Sequence, residues 1–380
     1  MASTHRFTVR YSGRAQAAQF LRVTIQPNPS SSGPIIAFVS GKEHPMPLYL
    51  YGSSALDAMR YTRSIEGGIL PGTAVRPRHL GNAIHTHRQI NELGDDAQRL
   101  LSHIRTPIQV LVPKRSMTTQ SDRLITHVWS HDIPSGAYLR LDNGIYLPTP
   151  AFLMQQLASQ LDEIGLILLG LELCGFYSMW SFPAMGAHHA TADEFEGCTF
   201  ELNPATSVTQ LTSYIRKRGG ERGYRTVQHV LKRTLDRSAS PMESVVYLLL
   251  CLPRRLGGFG LPMPVLNVKV KVSTSTTTKS RFPDLYWPIQ SLDVEYDSDQ
   301  DHTGMWSRYR DARRTVELAA EKITVLPLTH AQLFDAGEFE AFAASVRRNL
   351  GIRARTLDAE WHAKHHLLRE RLLLSGAEPL

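Results

Sequence analysis

The chain has 380 residues, with an apolar share of 42% and 20% charged residues. Those proportions exclude a disordered or low-complexity protein, and the length exceeds what a single hydrophobic core usually fills. A formal net charge of +7 and a sequence pI of about 9.3 suit a polyanionic partner without establishing one. The three cysteines, Cys174, Cys198 and Cys251, are too widely spaced for a zinc knuckle. Their odd number fits a reducing compartment better than a disulfide framework, and they read as buried apolar residues.

The opening stretch "MASTHRFTVRYSGR" lacks the continuous apolar segment of a secretory signal, so a cytoplasmic location is expected. "FTVRY", "FLRVTI" and "PIIAFVS" read as short strands. "SSALDAMRYTRSI" reads as a helix that Ser53 or Ser54 caps. "DAQRLLSHI" predicts another helix, and "PIQVLVP" and "RLITHVWS" two β-branched strands. In "GAYLRLDNGIYLPTP" the turn Asp142-Asn143-Gly144 lies between alternating runs, the pattern of a hairpin. From Ala151 to Tyr177 the apolar residues take helical spacing, which predicts a core helix pair. The most apolar window, "IGLILLGLELCGFY", carries Glu172 and is too short to span a bilayer, so no membrane partner is expected. Residues 184–206 lack a period and read as a loop.

"SYIRKRGGERGYRTVQHVLKRTLDRS" concentrates Arg216, Lys217, Arg218, Arg222, Arg225, Lys232, Arg233 and Arg237 on both sides of a Gly-Gly break. Such a run is either a solvated helix face or a grip on a phosphate backbone. In "SPMESVVYLLLCLPRR" Ser240 caps a helix, Pro241 occupies its first turn, and Glu243 stands three residues after the cap, a capping-box carboxylate. "VLNVKVKVST", "RFPDLYWP" and "SLDVEYDS" follow as strands.

Residues 281–303 gather six carboxylates, Asp284, Asp293, Glu295, Asp297, Asp299 and Asp301. A strand's period of two puts Asp293, Glu295 and Asp297 on one face, where they repel. Water screens them at the surface; a bound Mg²⁺ or Mn²⁺ would turn the repulsion into coordination by hard oxygen ligands. A hairpin would bring Asp284 beside Glu295. His302 follows the acids, with a pKa suited to proton transfer or a place beside the metal. Arg310, Arg313 and Arg314 share a face of the next helix and either pair with the acids or steer phosphate.

The order Glu243 on a helix, Asp284 after "RFP", Glu295 on the next strand, the helix "WSRYRDARRTVELAAE" and the strand "KITVLPLT" resembles the restriction-endonuclease-like PD-(D/E)xK core of the very-short-patch-repair-like branch, over about residues 238–335. The resemblance implies a mixed sheet flanked by helices and a metal-dependent nuclease acting on DNA. It also implies Asp284, Glu295 and Asp297 as metal ligands, with Glu243 and His302 assisting. Asp297 stands where most such nucleases carry a lysine. "PIQVLVP", "GIYLPTPAFLMQQLA" and "LGLELCGFY" resemble the middle of AbiEi-type antitoxin-like proteins over about residues 107–180. That likeness implies an alternative: a non-catalytic DNA-binding regulator, or a partner of a toxin or defence-system protein.

The expected class is therefore α/β, as a multidomain α+β chain. It would comprise an α+β region over 1–205, a basic helical linker over 206–238, a nuclease-like domain over 239–335 and a helical extension over 336–380. The C-terminal "EWHAKHHLLRERLLL" carries His362, His365 and His366 without a completing carboxylate or cysteine. It reads as a basic exposed helix or as packing for a neighbouring subunit.

Overall fold

The computed structural model describes residues 46–65, 70, 72–76, 80–129, 131–141, 144–179, 198–273, 278–297, 322–354 and 356–374. The strands expected before residue 45, the helix expected over 306–321 and the turn residues Asp142 and Asn143 lie outside them.

In chain order the first half contributes β1 (Leu48–Tyr49), helix α1 (Gly52–Ile65), β2 (Thr73–Val75), α2 (His87–Asn91), α3 (Asp95–Leu101), β3 (Ile108–Val112), β4 (Leu124–Val128), β5 (Tyr138–Arg140), β6 (Ile145–Pro148), α4 (Pro150–Leu157) and α5 (Glu163–Leu173). The strands β1, β6, β5 and β2 form a sheet in that order, with β1 parallel to β6 and the other pairs antiparallel. The hairpin read around Asn143 is the β5–β6 pair, in which Arg140 faces Tyr146. β3 and β4 pair in parallel, and a bridge from Leu50 to Val110 ties them to β1.

The start of α1 differs from expectation. The helix begins at Gly52, whose φ of 55° suits glycine, and the Gly52 N–H donates to Gln156 Oε1 at 3.1 Å. Ser53 and Ser54 lie inside the helix and turn to Gln109 instead: Ser54 Oγ accepts the Gln109 N–H at 2.8 Å, and Gln109 Nε2 donates to Ser53 Oγ at 2.8 Å. Both hydroxyls thus hold the helix to β3 rather than capping it.

Helix α5 is apolar around most of its surface and is buried accordingly, with Leu166, Ile167 and Leu171 fully enclosed. Its one buried charge, Glu172, accepts from Arg60 Nε and NH2 at 2.9 and 2.7 Å, which fastens α1 to α5. The neighbouring Arg63 is 1% exposed and donates to the carbonyls of Glu172, Gly175 and Asn203.

The second half contributes β7 (Ser178–Met179), β8 (Cys198–Thr199), α6 (Val208–Arg216), α7 (Tyr224–Val230), α8 (Pro241–Cys251), β9 (Val265–Leu266), β10 (Val270–Ser273), β11 (Thr278–Arg281), β12 (Leu285–Trp287), β13 (Leu292–Asp297) and β14 (Thr324–Thr329). Helices His330–Phe334, Ala336–Asn349 and Ala359–Arg369 follow. A second sheet runs β14, β13, β12, β9; the β13–β14 pair is parallel and the other two are antiparallel. Helices and mixed sheets together place the chain in the α/β class.

Pro45–Leu380 forms one compact unit by contacts. A hydrophobic cluster runs through it from Leu48 to Leu373, taking in α5, α8 and the Leu285, Leu292 and Val294 side of the second sheet. Cys174 and Cys251 are buried as expected, whereas Cys198 is half-buried.

The C-terminal helix corrects another expectation. It is not an exposed basic helix: Trp361, His365, Leu368 and Arg369 are buried against the rest of the chain. Trp361 Nε1 donates to Gly258 O at 2.9 Å, and His365 Nδ1 bonds Gly257 O at 2.7 Å. Trp361 stacks on His365 with ring centres 4.6 Å apart. Arg369 NH2 donates to the carbonyls of Leu333 and Phe334 and so closes the end of a short helix. Arg371 pairs with Asp162, the residue that caps α5.

Candidate functional site

The site is assembled at one end of the second sheet. α8 starts as the sequence predicts: Ser240 Oγ accepts the Glu243 N–H at 3.1 Å and Pro241 occupies the first turn. The Glu243 carboxylate does not return to the backbone N–H of the cap residue. Its Oε2 accepts the Ala239 N–H at 2.9 Å and the side-chain N–H of Asn267 at 2.6 Å, and Ser240 Oγ donates to Oε1 at 3.3 Å. Glu243 is 7% exposed. Burial, and next the negative charge of Asp284, push its pKa up to about 8 despite those three bonds.

Across the sheet, Leu285 pairs with Val294 and Tyr286 with Asp293. Continuing that register by one residue sets Asp284 opposite Glu295, on the face shared with Asp293 and Asp297. Asp284 Oδ2 accepts the Tyr296 N–H at 3.0 Å, which holds its carboxylate against β13. The other face carries Leu285, Leu292 and Val294 into the core and lies toward α8. Asp293 is fully buried, whereas Asp284, Glu295 and Asp297 are half-buried. The acids therefore form a face graded from core to surface rather than an exposed turn.

Asn267 is the residue that the alternation in "VLNVKVKVST" conceals. The expected continuous strand is broken there, because Asn267 adopts a φ of 47°, a conformation asparagine tolerates better than most residues. Its backbone N–H donates to Pro283 O at 2.9 Å, immediately before Asp284. Its side chain donates to Arg237 O at 3.0 Å as well as to Glu243. Arg237 returns the contact, with Nε 3.3 Å from Asn267 O, and holds a φ of 76° itself. One residue thus ties the α8 carboxylate, the Asp284 strand and the end of the basic run together.

Much of that basic run has structural employment. Arg218 pairs with Glu221 at 3.4 Å and lies over the Tyr214 ring at 5.2 Å. Arg222 donates to Ser159 Oγ at 2.9 Å, and Arg233 stands 3.8 Å from Glu163. Arg216, Lys217, Arg225 and Lys232 are exposed, on or beside α6 and α7. His302, Arg310, Arg313, Arg314, Asp299 and Asp301 lie outside the described residues.

Among the described residues no group of three His, Cys, Asp or Glu side chains has a metal-holding arrangement. The Asp284–Glu295 pair nevertheless fits the habit of Mg²⁺, which keeps several waters and takes one or two protein carboxylates. Among the described residues no helix is long and apolar enough to cross a membrane. Comparison with protein-family models, with curated proteins and with solved structures returns no match for this chain.

Proposed function

We propose that the protein is a metal-dependent nuclease-like protein acting on DNA phosphodiesters. The observation that carries the reading is the register of β12 and β13, which sets Asp284 beside Glu295, while Asn267 links the buried Glu243 of α8 to the residue just before Asp284. Asp284 and Glu295 would hold a divalent cation, with Asp297 at the margin of the same face. A bound Mg²⁺ or Mn²⁺ supplies positive charge to offset that of a phosphate and lowers the pKa of a coordinated water. The chain's own part is to keep two carboxylates adjacent, to fix Asp284 through the Tyr296 N–H and to shield Glu243 from water. Arg216, Lys217 and Arg225 offer exposed charge for a phosphate backbone.

The test is cleavage of supercoiled and single-stranded DNA with Mg²⁺ and with Mn²⁺. Parent cleavage that Asp284→Asn and Glu295→Gln abolish supports the reading. Parent cleavage unchanged by either substitution, or no cleavage of any DNA, overturns it.

A second reading, a non-catalytic DNA-binding regulator, is favoured by Asp297 standing where the resemblance calls for a lysine. Salt-dependent DNA binding without cleavage, unaffected by the acidic substitutions, supports that alternative.

A further inference from the structure

A cavity of about 240 Å³ opens on the first half of the chain, lined by Arg76, Leu80, Val112, Pro113, Trp129, His131, Asp132 and Ile133. Its place follows from the topology. β3 and β4 run parallel, Val112 is the last residue of β3, and Trp129 directly follows β4. The cavity therefore lies at the carboxyl ends of two parallel strands, the end of an α/β sheet at which ligands characteristically bind.

The lining divides by chemistry. Leu80, Val112, Pro113, Trp129 and Ile133 make an apolar wall, in which Trp129 stands edge-on to Phe152 with ring centres 5.0 Å apart. Phe152 packs in turn against Tyr138, and Tyr138 against Tyr49. The wall is thus preformed by an aromatic cluster. Trp129 is 8% exposed, and its indole N–H has no acceptor among the described residues. That N–H is sealed within the protein rather than open to the cavity, so the wall offers a ligand its apolar surface alone.

At the rim Arg76, His131 and Asp132 are exposed. Arg76 lines the cavity from an exposed position, where a guanidinium fork can meet an anion. The volume lies below the roughly 300–1,000 Å³ of drug-sized sites, so the cavity would enclose one planar ring system and leave any attached polar groups at the rim.

We propose that this cavity binds a nucleotide-class ligand: a planar nucleobase against the Trp129 wall, an exocyclic amino group toward Asp132, and a phosphate on Arg76. The chain's net charge of +7 favours such an anion over a zwitterion. The base arrives either in a free nucleotide or unpaired in a nucleic-acid strand. The proposal stands on residues of the first half of the chain and does not rest on the nuclease reading.

The experiment is calorimetric titration of the full chain with each nucleoside 5′-monophosphate, repeated on Arg76→Ala and Asp132→Asn. Both positions are exposed, and melting curves check that each variant folds. At least one monophosphate binds the parent with one-to-one stoichiometry and weakens tenfold or more in Arg76→Ala, while Asp132→Asn changes the ranking among bases. Competition by a short single strand, but not by an all-abasic strand, places the base in nucleic acid. Binding without such competition places it in a free nucleotide. No binding by any monophosphate, equal binding in Arg76→Ala, or binding of aromatic amino acids alone overturns the proposal.

Discussion

Asn267 and Arg237 hold each other in left-handed backbone conformations, the asparagine side chain donating to the arginine carbonyl and the arginine Nε reaching the asparagine carbonyl. Two strained residues that brace one another persist only where the surroundings over-determine them. Here the third member is Glu243, bonded by the same Asn267 amide group.

Asn267→Ala removes that donor and places a poorly suited residue at positive φ; Asn267→Gly removes the donor alone. Losing a buried bond to a carboxyl group costs about 1–3 kcal/mol. Urea denaturation should therefore show both variants destabilised, with alanine the worse by about 1 kcal/mol.

Glu243 gives a pH dependence whose sign is fixed by the direction of its shift. Its folded pKa of about 8 lies above its ordinary 4.5, so the folded state holds the proton more tightly. That contribution is complete below the ordinary value and is lost as pH rises through the folded one. In metal-free protein the free energy of unfolding should fall as pH rises from about 5 to 8. Glu243→Gln should flatten that slope. A slope unchanged in the variant would assign the effect elsewhere.

His365 behaves in the opposite sense. Burial pushes it down to about 4 from an ordinary 6.5, against the opposing pull of its bond to Gly257 O. The unfolded chain therefore binds the proton first, and stability present above 6.5 is lost as pH falls toward 4. His365→Phe keeps the aromatic packing and should remove this acid sensitivity, read by thermal melts between pH 4 and 7.

Trp361→Ala deletes the ring stacked on His365 together with the bond to Gly258 O. Truncating a buried tryptophan costs about 3–5 kcal/mol. The loss should appear as a lowered melting temperature and as early proteolysis within residues 350–374.

Arg60→Met leaves Glu172 charged in a sealed interior, a change worth about 3–5 kcal/mol. Arg60→Met/Glu172→Met removes both charges and should be less destabilised than Arg60→Met alone, unless Ser178 and the Met179 N–H, which also bond Glu172, set the cost. A double variant worse than the single one would assign the main role to those two contacts.

The carboxylate strand was legible in the sequence because a period of two fixes which acids share a face, and the aromatic Tyr286 and Trp287 mark the paired strand. The core helix α5 was legible from its unbroken apolar run, and α8 from Ser240 as cap with Pro241 and Glu243 behind it. Asn267 was hidden, because its effect depends on a positive φ and on partners 24 and 30 residues away. Ser53 and Ser54 misled for a related reason: they sit where a cap belongs, but a strand brought close in space claims their hydroxyls. The burial of the terminal helix rests on Gly257 and Gly258, whose carbonyls take His365 and Trp361, and no local pattern announces such docking.

The pairing of Asp162 with Arg371 joins positions separated by most of the chain. During synthesis α5 and α8 leave the ribosome long before Phe339, Trp361 and Leu368, which share their hydrophobic cluster, have been made. A nascent chain halted near residue 330 would present that apolar surface to solvent and to chaperones, so productive folding waits on the arrival of the last helices.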